Sequence, residues 1–343
     1  MVTDVEDAAA EPIGIADVND DDRLDVVIAY PSLSYFQVVR GMGNGQLVVQ
    51  SPLPASGTPR GLVPRDLNDD GFVDLLLCGQ NNVIVSVLND HGTGVLTSPQ
   101  ESATGSQTPE CDVAQLDGDT TPDAAVVLYS GNAVGTLQGQ GDGSFNSLQT
   151  ASNAAQPQGL ALGLLDGDAN VDLVTANDSG QSLGVRMGDG NRGWGTEVEY
   201  DTADALRHVG VGDFDEDNLL DIVSTRSDGD DVVVLLNQGG GVFDDGQTIV
   251  IAVQAEPRGL AVVDINADGH LDVVVANSTA ASLSFLLGDG TGGFTVVHRD
   301  LGAMRNPWKV AIGDLNEDGV QDVVATTPPG AVVRLVSDLD LVP

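Results

Sequence analysis

At 343 residues, with 41% hydrophobic side chains, the chain is long enough to bury a large core, and no apolar run reaches the roughly 18 residues a membrane-crossing helix needs. Its 52 acidic residues against 13 Lys and Arg give a net charge of −39, which excludes nucleic acid or an anionic membrane as partners engaged through a general field and favours cations. Two cysteines, Cys78 and Cys111, exclude a disulfide-rich scaffold, show no metal-ligand spacing and are expected to be buried free thiols.

Met1 to Ala10 lacks the basic and apolar regions of a signal peptide. From there on the acids cluster at a fixed period. Acidic loops begin at Asp17, Asp66, Gln115, Leu164, Asp213, Asp264 and Asp314, spaced 49 to 51 residues apart. Such regularity over residues 1–343 predicts one domain with no linker. In each unit an apolar run precedes the loop, as in Gly259 to Val263, and a second follows it, as in Asp272 to Ala276. A polar turn leads to a third run (Ser282 to Leu287), and a glycine-rich turn (Gly288 to Gly293) to a fourth starting at Phe294. Short runs of β-branched and aliphatic residues bounded by Gly, Asn and Asp are strands, and no sustained helical period appears.

Four antiparallel strands in about 50 residues make one propeller blade. The expected fold is therefore all-β: a seven-bladed β-propeller of four-stranded antiparallel blades. A β-solenoid competes, but its coils are generally shorter and it would not need closure. After Asp322 only two runs remain, Val323 to Thr327 and Ala331 to Val336, so Val2 to Ala9 is expected to complete the last blade and close the ring.

The loops carry the chemistry. In the second, Asp66, Asn68, Asp70 and Asp74 place oxygens at positions 1, 3, 5 and 9, with Gly71 at 6 and the carbonyl of Phe72 at 7. Calcium takes six to eight oxygens, which carboxylates and one backbone carbonyl supply, and glycine permits the sharp turn. An EF-hand would need an acid at position 12, where Leu77, Ser224 and Val275 stand. Acidic turns without a cation would suffer strong mutual repulsion.

The predicted ligands of the first loop are Asp17, Asn19, Asp21, Arg23 (through its carbonyl) and Asp25, with Asp22 where glycine usually sits. The third has Gln115, Asp117, Asp119, Thr121 and Asp123, and is expected to bind more weakly. The fourth has Leu164 at position 1, leaving Asp166, Asp168, Asn170 and Asp172, and is the one expected to be empty or completed by water. The fifth has four carboxylates, Asp213, Asp215, Asp217 and Asp221, with Leu219 at position 7. The sixth (Asp264, Asn266, Asp268, His270, Asp272) and seventh (Asp314, Asn316, Asp318, Val320, Asp322) follow the second. About five to seven Ca²⁺ ions are expected, as a condition of stable folding.

With the glycine-rich turns and their aromatics (Gly139 to Phe145, Gly288 to Phe294), these units resemble the FG-GAP/VCBS repeats of integrin α-subunit propellers and of bacterial surface proteins and fungal lectins. The resemblance covers the whole chain. It implies an extracellular or cell-surface location, any leader lying outside this stretch, and a role in adhesion or carbohydrate recognition.

The calcium loops join the first and second strands of each unit, so the opposite face is free of metal and variable. Six residues before the successive loops stand Glu11, Arg60, Pro109, Gln158, Arg207, Arg258 and Trp308, with His208 and Lys309 following two of them. Tyr30, Tyr35, Tyr129 and Arg226 are expected to join this face. Arg with Trp and Tyr suits a sugar, a carboxylate or an acidic peptide; the competing reading is that these arginines pair with nearby acids. His91, His208, His270 and His298 are scattered, and no Ser-His-Asp, Cys-His or H-E-x-x-H pattern appears. The expected function is a non-catalytic, calcium-dependent recognition module for a glycan or protein, as a monomer or part of a larger chain. The alternatives are a ligand-free structural repeat and a polysaccharide lyase or hydrolase.

Overall fold

A computed structural model describes residues 2–4, 11–89, 94–97, 99–153, 155–243, 248–302, 306–327 and 331–335. Among them, apart from two short 3-10 turns at Pro31–Leu33 and Tyr129–Gly131, the regular elements are strands. Each repeat folds into an antiparallel sheet taken in chain order, such as Pro257–Val263, Asp272–Asn277, Ser282–Gly288 and Phe294–Asp300. Each innermost strand packs against the innermost strand of the next sheet, and Lys309–Gly313 packs back on Ile13–Ala16. Val2–Asp4 pairs with Ala331–Leu335 beside Asp322–Thr327, so the closing sheet draws on both ends of the sequence. Residues 5–9 and 336 of the expected closure lie outside the described residues, as does His91.

The expectation of a seven-bladed propeller of four-stranded blades is corrected: there are six four-stranded blades, not seven. The sheet holding the first acidic loop has five strands. Its outer strand is broken into Leu47–Val49 and Leu53–Pro54, both paired to Tyr35–Gly41. Pro52 and Pro54 have no N–H to give a ladder, and the side-chain amide of Gln37 takes the Gln50 carbonyl at 2.7 Å where the strand breaks.

The second strand of each sheet is sandwiched between neighbouring sheets. Asp25–Tyr30, Asp74–Gly79, Asp123–Leu128 and Asp272–Asn277 are buried throughout, which is why they read as continuous apolar runs and do not alternate. The core lies between sheets: one cluster joins Leu67, Leu76 and Ile84 to Val113, Val126, Leu137 and Phe145 of the next sheet. At the rough rate of 25 cal/mol per Å² of apolar surface removed from water, such clusters dominate the stability.

The expected free thiols are also corrected. Cys78 and Cys111 are both buried, but they form a disulfide between adjacent sheets, with Cα atoms 6.2 Å apart. Two positions 33 residues apart meet only because the Asp74–Gly79 strand lies against Cys111–Ala114.

Candidate functional site

The acidic loops share one scaffold. Position 9 is Asp25, Asp74, Asp123, Asp172, Asp221, Asp272 or Asp322, each fully buried at the start of the second strand. One carboxylate oxygen accepts the N–H of position 2 (Val18, Leu67, Leu116, Leu165, Phe214, Ile265, Leu315) at 2.7–3.2 Å. In the first six loops the other oxygen accepts an N–H from the far end of the third strand (Gly41, Asn89, Gly139, Gly188, Asn237, Gly288) at 2.7–2.9 Å. This aspartate is therefore a brace between the two turns of its sheet, a role that spacing alone does not reveal. Burial pushes the carboxyls of Asp74, Asp123, Asp221 and Asp272 up to about 6 against the pull of those N–H donors.

Position 5 fixes the curl. Asp21, Asp70, Asp119, Asp168, Asp217, Asp268 and Asp318 each accept the N–H of position 7 (Arg23, Phe72, Thr121, Asn170, Leu219, His270, Val320) at 2.6–3.1 Å. Position 1 divides the loops into two kinds. Asp17, Asp66, Asp213, Asp264 and Asp314 accept the N–H groups of positions 5 and 6 at 2.7–3.3 Å. Position 6 then turns left-handed, with φ of 62° at Asp22, 89° at Gly71, 71° at Asn218, 94° at Gly269 and 84° at Gly319. With Gln115 and Leu164 at position 1, the third and fourth loops lack that turn, and only Gly118 and Gly167 at position 4 are left-handed there. Position 3 also bonds within the loops: Asn68, Asp117, Asp166, Asn266 and Asn316 accept the position 5 N–H at 2.9–3.2 Å, and the Asn19 amide donates to Asp25 at 2.8 Å.

The fifth loop fits a cation. Asp213, Asp215 and Asp221 bring carboxylate oxygens within 4.8 Å of one another. Asp215 Oδ1 is buried without a hydrogen-bond partner, and burial followed by the nearby Asp217 raises its pKa. The third loop is different. Arg192, from the neighbouring sheet, places its guanidinium on Asp117.

The second constellation lies at the opposite mouth of the inner strands. An axial cavity of about 340 Å³ is lined by Arg60, Arg207, His208, Arg258, Trp308 and Lys309, with Tyr129 and Gln158 beside them. Arg60 and Arg258 are second residues of inner strands, and Lys309 starts one. Gly259 lets that geometry form: a Cβ there would stand 2.6 Å from the Trp308 carbonyl, which the Gly259 N–H meets at 2.9 Å. Arg258 stacks on Trp308, 4.5 Å from the ring centroid, and its guanidinium pairs with Glu256 at 2.5 Å. Arg60 pairs with Glu11, Arg207 with Asp178 at 3.5 Å, and Lys309 with Glu110.

Three expected members, Tyr30, Tyr35 and Arg226, are elsewhere. Tyr30 ends a buried strand, fully enclosed against Tyr35 at 4.8 Å between ring centroids. Arg226 grips Asp231 through two contacts of 2.5 Å and does not line the cavity. Sequence reasoning missed Gln80, Gln107 and above all Glu110, which lie one residue from the positions it singled out or in connecting segments. Burial pushes the Glu110 carboxyl up, but Lys309 and His208 outweigh it and hold the pKa at about 2.

Closed antiparallel sheets around an axial cavity, each with an acidic loop at one rim, define a β-propeller built from repeats. The FG-GAP-like repeat family matches residues 17–77, 66–126, 213–275 and 264–325, and the chain belongs to that family. The unmatched stretch between 126 and 213 contains the fourth loop, with Leu164 at its first position. No curated protein matches. Among solved structures the chain is similar to the crystal structure of BBS1N in complex with ARL6DN, soaked with mercury, at 12% identity and a TM-score of 0.70, covering 97% of this chain and 94% of that one. It is also similar to the WD40 beta propeller domain of Doa1, at 13% identity and a TM-score of 0.66, covering 97% and 95%. Likeness at that identity is one of fold.

Proposed function

We propose that this propeller is an extracellular, calcium-stabilised recognition module that takes a glycan into its axial cavity. The observation that carries the reading is the lining. Four cations (Arg60, Arg207, Arg258, Lys309) against two carboxylates (Glu11, Glu110) gather there, in a chain whose net charge is −39. Three glutamine amides, Gln80, Gln107 and Gln158, and the Trp308 ring supply the hydrogen bonds and apolar plate that sugars use. The overall negative charge opposes a long polyanion, but fields are screened beyond about 10 Å at 0.1 M salt, so a short acidic oligosaccharide suits the cavity.

Calcium would sit in the acidic loops, held first by Asp213, Asp215 and Asp221, and would supply the positive charge that relieves carboxylate repulsion. The Cys78–Cys111 disulfide supports an oxidising compartment, and no helix among the described residues is long and apolar enough to cross a membrane.

We read the module as non-catalytic. Ser284 Oγ lies 2.9 Å from His298 Nδ1, but Ser284 is fully buried and out of a substrate's reach. A ligand-free structural role is the second reading, favoured by the carboxylate partner that each of the four lining cations has. A glycan array in calcium buffer separates the two: binding of acidic oligosaccharides that is lost in Arg207→Ala with Arg258→Ala supports recognition, and a blank array supports the structural role.

A further inference from the structure

Glu110 precedes the Cys111–Ala114 strand, and its carboxylate crosses the axial cavity. There it pairs with Lys309 from the closing sheet and lies 3.5 Å from His208 Nε2 on the Leu206–Gly212 strand. None of the three parent sheets neighbours another around the ring. One carboxylate thus spans the channel, fastened to two donors that belong to distant parts of the molecule.

Neither donor is saturated by this contact. At 3.5 Å the His208 contact is longer than a good hydrogen bond, and His208 Nδ1 is buried with no partner. Lys309 has three N–H donors and no acceptor of its own. The backbone on the Glu110 side is held by the disulfide at the next residue, and Glu110 Oε1 rests where Gly61 leaves room: a Cβ on Gly61 would approach it to 3.1 Å. The glutamate can therefore leave by rotating its own side chain, without moving a strand.

We propose that Lys309 and His208 form a carboxylate-binding subsite at the axis, which Glu110 fills in the free protein and which a uronate carboxylate of an acidic glycan takes over on binding. This rests on the reading that the cavity binds a glycan, and adds the ligand's charged group and its anchoring residues. Glu110 is then an internal competitor that sets the affinity threshold. Neutral sugars, unable to replace it, would bind only through Trp308, Arg258 and the glutamines.

The test uses the whole protein in calcium, with a short galacturonate oligomer and its methyl-esterified, neutral counterpart as probes. Lys309 is the sole lysine, so lysine-selective isotope labelling gives a single side-chain signal from the subsite. The acidic probe should shift that signal in the wild type, and the neutral one should leave it in place. Calorimetry should show Glu110→Gln binding the acidic probe about five- to tenfold more tightly, and Lys309→Met weakening it by a similar factor. If the acidic probe binds but Glu110→Gln does not gain and the lysine signal stays still, the subsite is wrong and the cavity reading stands. Equal affinity for both probes also overturns the subsite alone. If neither probe binds the wild type or Glu110→Gln, both readings fall. The lysine signal of the wild type decides the matter even if a variant does not fold.

Discussion

Arg192 Nε lies 3.1 Å from Asp117 Oδ2, with the two side chains only 12% and 13% exposed. Arg192 adopts a left-handed φ of 63° to make the contact, and its N–H bonds the Leu116 carbonyl at 2.8 Å. A guanidinium from the next sheet thus stands beside the carboxylates of the third loop, at the place where a cation is proposed in other loops. Neutralisation by a neighbour's arginine offers the same relief of repulsion that a metal gives, without a solution component.

The third loop should accordingly be indifferent to calcium while Arg192 is present. Arg192→Gln leaves Asp117 without its partner, and breaking a pair this buried costs about 3 kcal/mol. Denaturant unfolding should show that loss in chelator, with partial recovery in calcium, where Asp117, Asp119 and Asp123 are free to take an ion. Equal losses in both buffers would show that the loop cannot use one.

The fifth and fourth loops should differ in the opposite sense. Asp215→Ala removes one of three converging carboxylates, whereas Asp166→Ala acts in a loop that already has Leu164 at its first position. A site saturated at a hundred times its Kd adds about 2.7 kcal/mol, so in calcium Asp215→Ala should lower Tm well below that of Asp166→Ala. In chelator the two should melt within a degree or two of one another; calorimetric scans in both buffers give the comparison.

Arg207→Ala together with Arg258→Ala should separate binding from stability. Their partners Asp178 and Glu256 are part-exposed, and such pairs contribute about 0–1 kcal/mol, so Tm should hardly move. Affinity for the acidic oligosaccharide should fall by roughly tenfold or more. A large drop in Tm would mean that the arginines tie the sheets together.

Glu110 predicts a pH dependence with a definite sign. Its folded pKa of about 2 lies below the ordinary 4.5, so the unfolded chain binds more protons between those values. The stabilisation is fully present above about pH 4.5 and is lost as pH falls towards 2, amounting to something on the order of 3 kcal/mol. Unfolding free energies of wild type and Glu110→Gln should therefore differ by a constant amount above about pH 5 and converge in acid. A difference that persists at the acid end would assign the effect of the substitution to packing.

The repeat was legible because each loop repeats the same oxygen positions, and because Asp25, Asp74 and their equivalents always begin an apolar run. The arginine ring was legible for the same reason: a fixed offset from the loops places Arg60, Arg207 and Arg258 at equivalent points of a symmetric scaffold. What escaped depends on contacts between units. The break after Val49 follows from the two prolines and one glutamine bond of a single outer strand. Cys78 meets Cys111, Arg192 meets Asp117 and Glu110 meets Lys309 only once the ring has closed, and no offset within a repeat encodes those meetings. Tyr30, Tyr35 and Arg226 were misplaced because a position near a loop does not say which way the side chain turns; the two tyrosines pack together at the core and the arginine finds Asp231.

The Cys78–Cys111 bond has a bearing on how the molecule would endure damage. It joins two neighbouring sheets on either side of the segment that carries the outer strands Val83–Val87 and Gln100–Ala103. A protease that severed the backbone anywhere between residues 79 and 110 would produce two fragments still tethered to each other, each held in the ring by its own strand pairing. A chain exposed to secreted proteases could be nicked there and keep its shape, and the cut would declare itself only on a gel run with reductant.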